Sequence, residues 1–255
     1  MNNFSNLYAQ CYDLLYADKD YKSETDYLND LLKKFCPDTK TILNLGCGTG
    51  KHDFLLAEKG YMIHGIDVSD NMILRANERV KELGDNHAIA FSVGDIREIR
   101  LEKKFDTVIS LFHVMSYQTS NHDLQNVFLT VKEHLKPGGV FVFDCWYGPG
   151  VLTNPPAVRV KRLENENIKL TRIAEPVHHV QKNIIDVNYN LFITSKISNE
   201  QEVVYESHKM RYLFDTEIDC LCEKYSFEKI AAYQWMNYKE TTLNTWNAVY
   251  VCKLS

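Results

Sequence analysis

Short apolar runs alternate with stretches of helical periodicity through residues 41–145, and this alternation constrains the fold more than any other feature of the chain. An apolar run, a helix and a second apolar run together are typical of a β-α-β unit. Such units build a mostly parallel sheet with helices on both faces. The predicted strands are 41–45, 62–67, 88–93, 105–112 and 140–145, and the predicted helices are 27–35, 51–59, 69–83 and 121–135. The sequence therefore predicts an α/β fold with a doubly wound, mostly parallel sheet.

A different pattern begins after Gly150. All 11 glycines of the 255 residues lie between Gly46 and Gly150, and apolar residues alternate with mainly polar ones over 185–193. A period of two predicts a strand with one buried face, and the stretch 202–213 also has an extended pattern. We therefore expect long antiparallel strands inserted after the fifth strand. Beyond them we expect a helix capped by Asp215 or Thr216 and two closing strands, at 227–233 and 244–253.

These patterns divide the chain into three parts. Residues 1–36 are predicted to form an N-terminal helical cover, residues 37–149 and 213–255 the core, and residues 150–212 the antiparallel β insertion. The insertion would leave an apolar face that needs cover. We therefore expect it to contribute a homodimer contact.

The charge balance argues against a nucleic-acid-binding protein. There are 29 Lys and Arg residues against 34 Asp and Glu, a net charge of −5, whereas such proteins need a basic surface to neutralise phosphate. No apolar run approaches the roughly 20 residues that a membrane span requires. Residues 1–6 have neither a basic flank nor an apolar run, so we expect no signal peptide and no membrane partner.

The cysteines and histidines do not indicate a metal site. Seven cysteines occur without a Cys-x-x-Cys pair, so neither a disulfide framework nor a zinc site is indicated. His178 and His179 are adjacent, and on a strand they would face opposite sides. The sequence therefore predicts no bound metal and a reducing cytoplasm as the location.

Three alternating glycines, Gly46, Gly48 and Gly50, follow the first predicted strand and precede a helix. In a doubly wound fold this crevice binds ligands, and glycines there let the main chain approach a ligand closely. A dinucleotide fingerprint would place its third glycine at position 51, where this chain has Lys51. The spacing thus disfavours NAD, and the alternative to a ligand is a tight turn.

Two carboxylates end the next two strands. Asp67 can accept hydrogen bonds from both hydroxyls of a ribose, and its alternative role is a helix cap, which Ser69 could fill instead. Asp95 could accept from an adenine amino group while Ile96 packs on the ring, and its alternative role is that of a turn aspartate. Both positions therefore favour a ligand that carries a nucleoside.

Four segments together resemble the motifs of class I S-adenosylmethionine-dependent methyltransferases in order and spacing, over about residues 40–145. They are Asn44-Leu45-Gly46-Cys47-Gly48-Thr49-Gly50, Gly65-Ile66-Asp67-Val68-Ser69, Gly94-Asp95-Ile96-Arg97 and Leu135-Lys136-Pro137-Gly138-Gly139. The resemblance implies a Rossmann-like methyltransferase fold and S-adenosyl-L-methionine as the cofactor. The cofactor-binding residues that it implies are Tyr21, Asn44, Gly46, Cys47, Gly48, Gly50, Asp67, Val68, Met72, Asp95, Ile96 and Leu111.

One position departs from the family pattern. The family usually has Asp or Glu where this chain has Asn44. Asparagine keeps an acceptor oxygen but loses the charge that would attract the ammonium group of the methionine part.

The flanking segments are similar to a narrower group, the N-methyltransferases of nucleotide-linked amino sugars. These segments are Tyr12-Asp13-Leu14-Leu15-Tyr16, Asp20-Tyr21 and Trp146-Tyr147. The resemblance implies a small-molecule acceptor, the amino group of a nucleotide-linked sugar. The alternatives are O- or N-methylation of another metabolite or of a protein side chain, and a non-catalytic S-adenosylmethionine-binding protein.

The acceptor is expected between the N-terminal cover and the ends of strands four and five, because the donor motifs occupy the ends of strands one to three. The β insertion of residues 150–212 is expected to help to build this acceptor site. The catalytic candidates there are Tyr16, His113 and Tyr117, and the same three residues with Trp146 and Tyr147 are the candidates for binding the substrate. An amine must be neutral to attack, so either a base or an environment that disfavours its charge would serve. His113 could instead be a satisfied histidine under a loop, Trp146 could be a core residue, and Tyr8 and Tyr12 could only pack a lid.

Overall fold

The structure is a computed structural model that describes residues 14–82, 84 and 88–255. Tyr8, Tyr12, Asp13 and Leu83, which entered the sequence interpretation, lie outside the described residues. The strands form two sheets, one of seven strands and one of four.

The helices are α1 (Tyr21–Phe35), α2 (Lys51–Glu58), α3 (Asp70–Glu82), α4 (Asn121–His134), α5 (Gly148–Thr153) and α6 (Asp215–Tyr225). The strands of the larger sheet are β1 (Thr41–Leu45), β2 (Met62–Asp67), β3 (Ile89–Val93), β4 (Phe105–Ser110), β5 (Leu135–Trp146), β10 (Phe227–Gln234) and β11 (Asn247–Leu254). The smaller sheet contains β6 (Arg159–Glu164), β7 (Ile168–His179), β8 (Ile184–Ser195) and β9 (Gln201–Arg211). Short 3-10 helices cover Val114–Tyr117 and Val180–Lys182.

The larger sheet has the strand order β10-β11-β5-β4-β1-β2-β3. Strands β1 to β5 pair in parallel, and β11 is antiparallel to both β5 and β10. The order reverses between β1 and β4, so their carboxyl ends form the crevice in which such sheets bind ligands. The predicted doubly wound fold is confirmed.

Helices cover both faces of this sheet, as its apolar strands require. One apolar cluster joins α4 and α6 to the sheet, with Phe128, Phe141 and Tyr250 among its buried side chains. The other joins α1 to the opposite face, through residues such as Leu28 and Ile109. The helical period predicted for 27–35 thus corresponds to the buried face of α1.

The caps of two helices lie one or two residues before the predicted positions. The helix predicted to begin with Asn121 as its cap is instead capped by Ser120, whose Oγ accepts from the Asp123 amide at 3.0 Å. Phe214, not Asp215 or Thr216, precedes α6, and the Glu217 carboxylate accepts from the Phe214 amide at 2.9 Å.

The start of α3 is as predicted, whereas β4 ends earlier than predicted. Ser69 Oγ accepts from Met72 N at 3.4 Å at the start of α3, as predicted. Strand β4 ends at Ser110, because the backbone turns through positive φ at Phe112 and His113. That turn directs the chain across the carboxyl edge of the sheet.

The smaller sheet is antiparallel, in the order β6-β7-β8-β9. The predicted alternation over 185–193 is confirmed, since Ile185 and Leu191 are completely buried. The opposite face exposes Phe192, Val203 and Tyr205. All four strands lie within residues 150–212, and the role of that insertion stays a prediction.

Two properties bear on the sequence expectations. Within the described residues, no helix is long and apolar enough to cross a membrane. The same residues contain no group of three or more His, Cys, Asp or Glu side chains that could hold a metal ion.

Candidate active site

A cavity of about 540 Å³ lies between the carboxyl edge of the larger sheet and the inner face of the smaller one. Its walls include all the predicted site residues except Gly50 and Tyr147. The cavity also reaches residues that the sequence analysis did not select. They are Thr49, Lys51, His52, Arg97, Phe112, Val114, Gln118, Arg172, Val187, Tyr189, His208 and Met210.

The glycine turn after β1 is held by backbone hydrogen bonds to the end of β2. The amides of Gly46 and Cys47 both donate to Ile66 O, at 2.7 and 2.9 Å. Gly48 has a φ of +57°, and a Cβ atom built there would meet nothing within 4 Å. That glycine therefore leaves open space on the main chain, which is what close approach by a ligand needs.

Gly50 has a packing role at the glycine turn. A Cβ atom at Gly50 would lie 2.4 Å from Phe91 Cζ, and Gly50 precedes the first residue of α2. It does not line the cavity. Its contact with the cofactor stays a prediction.

The Asp67 carboxylate holds both the glycine turn and the chain at the start of α3. Its Oδ2 accepts from Gly48 N at 2.9 Å, and its Oδ1 accepts from Ser69 N at 2.9 Å. Burial raises the pKa of Asp67. Each carboxylate oxygen has a second lone pair, so the side chain can hold the turn and still accept from ribose hydroxyls.

Asp95 is paired with Arg97, which the sequence analysis missed. Arg97 Nε lies 2.9 and 3.1 Å from the two Asp95 oxygens, and Arg97 Nη1 lies 3.1 Å from Asp123 Oδ1. Hydrogen bonding to Arg97 lowers the pKa of Asp95. The carboxylate is thus already engaged, and its contact with adenine stays a prediction.

Asn44 is held by a buried acid that sequence reasoning did not find. Asn44 Nδ2 lies 3.0 and 2.9 Å from the two carboxylate oxygens of Asp53. Asn44 Oδ1 is buried without a hydrogen-bond partner, and Asn44 lines the cavity. A buried acceptor without a partner costs free energy, so this oxygen suits a ligand donor.

The N-terminal cover contributes aromatic walls. Tyr16 packs edge-on against Phe112, with ring centroids 5.1 Å apart. Tyr21 packs against His52 at 5.0 Å, and His52 Nε2 lies 2.8 Å from Glu24 Oε2. The contacts of His52 with Tyr21 and Glu24 hold α1 against α2 beside the glycine turn.

His113 sits in the turn after β4 with a φ of +64°. Its Nδ1 lies 2.6 Å from Asp144 Oδ2. The His113 amide also lies 3.2 Å from the same oxygen. Asp144 on β5 thus holds the turn that presents His113 to the cavity.

Tyr117 is bonded to a histidine of the smaller sheet. Its hydroxyl lies 2.9 Å from His208 Nδ1. Burial, with a smaller effect of Arg172, lowers the pKa of His208 to about 4, so the imidazole is neutral at pH 7 and can accept from the hydroxyl. Burial also raises the pKa of Tyr117 well above its usual range. Tyr117 is therefore a neutral donor at physiological pH.

Trp146, the last residue of β5, and Tyr147, which follows it, have side chains in different surroundings. Trp146 lines the cavity and packs against Trp246, with ring centroids 4.9 Å apart. The Tyr147 hydroxyl donates to Asp215 Oδ2 at 2.8 Å, away from the cavity. Successive residues of an extended chain point in opposite directions, and Tyr147 does not line this cavity, so its contact with the substrate stays a prediction.

Gly48→Val should abolish tight donor binding while leaving the fold intact. The branched side chain would fill the open space over the turn, where the resemblance places S-adenosylmethionine. Gly60→Val is the matched control, because Gly60 also has positive φ and open surroundings but lies outside the cavity. Titration calorimetry with S-adenosylmethionine measures the effect, and unchanged affinity in a folded Gly48→Val protein would refute the placement.

Asp67→Ala should weaken donor binding more than Asp95→Ala. Asp67 is expected to make two charge-assisted bonds and Asp95 one, each worth about 1.5–3 kcal/mol. Because Asp67 also holds the turn, Asp67→Asn and thermal unfolding separate lost contacts from a lost fold. The reverse ranking by calorimetry would mean that the ribose and adenine ends are exchanged.

Residues 42–139 match the family described as "Methyltransferase domain". A relative from Streptomyces venezuelae, dTDP-3-amino-3,4,6-trideoxy-alpha-D-glucopyranose N,N-dimethyltransferase, is 31% identical over 144 residues. That alignment covers 56% of this chain and 58% of the relative. The chain thus matches little more than half the length of this curated relative.

Solved structures extend the similarity over the whole fold. An S-adenosylmethionine-dependent methyltransferase from Clostridium acetobutylicum ATCC 824 superposes with a TM-score of 0.81 at 22% identity, over 98% of both chains. An S-adenosylmethionine-bound amino pentose methyltransferase from Micromonospora echinaspora gives 0.75 at 18% identity, over 100% of this chain and 99% of that one. The motifs, the glycine turn and these matches agree. Residues 42–139 therefore carry a methyltransferase domain, as the sequence motifs predicted, and the whole chain has the fold of these S-adenosylmethionine-dependent methyltransferases.

Proposed function

We propose that this chain transfers a methyl group from S-adenosylmethionine to the amino group of a nucleotide-linked sugar. The observation that carries the proposal is the guanidinium of Arg172, which lines the cavity from the smaller sheet. It supports an acceptor that is anionic at one end, as the diphosphate of a nucleotide-linked sugar is.

Among the described residues no acid forms an ion pair with Arg172, although its positive charge contributes to the lowered pKa of Asp18. Its Nε is buried without a hydrogen-bond partner, and the guanidinium carbon lies 4.8 Å from the centroid of the Tyr189 ring. Arg172 also lowers the pKa of His208. A planar guanidinium binds phosphate oxygens in pairs, so the second sheet offers this group to an anion.

The relatives point to the same acceptor class. The Streptomyces venezuelae relative is named for a dTDP-linked amino sugar, and the Micromonospora echinaspora structure is titled as an amino pentose methyltransferase. A sugar carried on a nucleoside diphosphate brings two phosphates close to the sugar ring. Arg172 is suited to those phosphates, and the aromatic walls are suited to the ring.

The donor fits the residues around the glycine turn. Gly48 leaves the main chain open, Asp67 offers carboxylate oxygens, and Asn44 offers an acceptor oxygen without a partner. When bound, S-adenosylmethionine supplies a methyl group that its positive sulfur already activates. The protein then mainly needs to align donor and acceptor.

The surroundings of the acceptor favour a neutral amine. The positive charge of Arg172 in the same cavity disfavours an ammonium ion. Tyr117 is bonded to His208, and its raised pKa keeps the hydroxyl protonated at neutral pH, so it is not available to accept a proton. The aromatic faces of Tyr16 and Trp146 can stabilise the charge that develops on the amine as the methyl group is transferred.

Arg172→Gln should raise the KM for a nucleotide-linked amino sugar about 10- to 100-fold, because a charge-assisted contact to phosphate is lost. The KM for the same amino sugar without its nucleotide should not change. Arg162→Gln is the matched control, since Arg162 is exposed on the same sheet.

The assay measures S-adenosylhomocysteine formed from nucleotide-linked amino sugars, their hydroxyl analogues, simple amines and a protein mixture. Methylation of a hydroxyl analogue or a protein alone would favour the alternative methyltransferase readings. Donor binding without transfer to any acceptor would indicate a non-catalytic protein. An equal loss with both sugars would contradict the role given to Arg172.

Tyr16→Phe, His113→Asn and Tyr117→Phe should each lower kcat by less than about tenfold, because positioning carries most of the catalysis. A required general base would contribute about 10²- to 10⁴-fold. Single-turnover rates at saturating donor, with donor affinity measured in parallel, separate the two cases. A loss of several orders of magnitude in one variant would identify that residue as the base.

The chain should form a homodimer through the outer face of the smaller sheet, where Phe192, Val203 and Tyr205 are exposed. Burying such a face stabilises an assembly. Light scattering at micromolar concentration measures the state, with Phe192→Lys expected to shift it towards monomer. Leu243→Lys is the control, because Leu243 is exposed elsewhere. A monomeric unmodified protein would contradict this prediction.

A further inference from the structure

We infer that Asp53 is a positioning residue for the methyl donor: it orients the Asn44 amide towards the cavity and supplies the negative charge that the donor's α-ammonium group requires. The inference rests on the donor-binding part of the proposed function and not on the identity of the acceptor. It accounts for the departure from the family pattern at position 44.

The direction of the Asn44 amide follows from its neighbour. Asn44 is 2% exposed and Asp53 is completely buried. In its ionised form Asp53 only accepts hydrogen bonds, so the Asn44 nitrogen is then the atom that faces it. The distances of 3.0 and 2.9 Å from Nδ2 to the two carboxylate oxygens agree with this. Asn44 Oδ1 is consequently turned away from Asp53.

The oxygen that is turned away is the one without a partner. Asn44 Oδ1 is buried and makes no hydrogen bond within the described chain, although Asn44 lines the cavity. An ammonium donor from a bound ligand would satisfy it. The amide would then lie between a carboxylate and an ammonium ion, and its dipole would be aligned favourably with both charges.

The negative charge of Asp53 is itself uncompensated. Asp53 lies in the first turn of α2, and no Lys, Arg or His forms an ion pair with it among the residues described. Burial raises the pKa of Asp53 to about 7. Burying a carboxylate beside a neutral amide alone is costly, and a bound cation would repay that cost.

The arrangement moves the acid from the strand to the following helix. Where the family usually has an acid on the first strand, this chain has the amide there and the acid at Asp53 on α2. The net charge of the pair is the same in both arrangements. Exchanging the two residues, as in Asn44→Asp with Asp53→Asn, should therefore preserve recognition of the ammonium group.

The experiment compares two ligands by titration calorimetry with the full chain. One is S-adenosylhomocysteine, and the other is its analogue without the α-amino group. Asp53→Asn should weaken binding of S-adenosylhomocysteine about 10- to 100-fold, while binding of the analogue changes less than about twofold. The exchanged double variant should recover at least about tenfold of the loss. Asp70→Asn is the matched control, an exposed acid in the first turn of α3, and should change neither affinity.

Several outcomes would overturn the inference. They are an equal loss for both ligands in Asp53→Asn, no loss for either, or a wild-type preference for S-adenosylhomocysteine below about threefold. The last comparison uses only the wild-type chain, so it can overturn the inference even where Asp53→Asn does not fold. A wild-type chain that binds neither ligand would count against donor binding itself, which distinguishes that failure from failure of the inference.

Discussion

The hydrogen bonds between the glycine turn and the end of β2 are the constraint on which the donor side of the cavity depends. Ile66 O accepts from two amides of the turn, and Asp67 accepts from Gly48 N and Ser69 N. The half-buried carboxylate of Asp67 therefore joins the glycine turn to the start of α3. Because β1 and β2 pair in parallel, these hydrogen bonds position the open main chain at Gly48 at the carboxyl edge of the sheet.

The cavity exists because a second sheet covers the edge where the first sheet's strand order reverses. The carboxyl ends of β1 and β4 diverge at that point, and the crevice alone would be open to water. Tyr189 and His208 on the smaller sheet supply the opposite wall, and His208 reaches across to Tyr117 on the larger one. Excluding water strengthens the electrostatic interactions of any ligand held between the two sheets.

Two charges of opposite sign give the cavity its polarity. Asp53 is buried behind Asn44 on the side of the glycine turn, and the half-buried Arg172 lies on the smaller sheet. Each loses hydration in the absence of a ligand, which costs free energy. Complementary charges on the ligands would offset both costs: an ammonium group near Asn44 and a phosphate near Arg172. The same polarity would orient donor and acceptor with respect to each other.

The sequence by itself determined the alternating architecture, the glycine turn and the residues at the ends of the first strands, because these follow from local periodicity and spacing. Gly48 and Asp67 were identified in this way and Asn44 through the resemblance to the family, and all three line the cavity. Only the tertiary structure decided which distant residues complete the site. Asp53 pairs with Asn44 because α2 packs back on β1, and Arg172 enters the cavity because the register of β7 and β8 places it opposite Leu191. Tyr147 and Gly50 lie outside the cavity walls for a similar reason: Tyr147 is held by its hydrogen bond to Asp215, and Gly50 packs against Phe91, and both partners are far away in the chain.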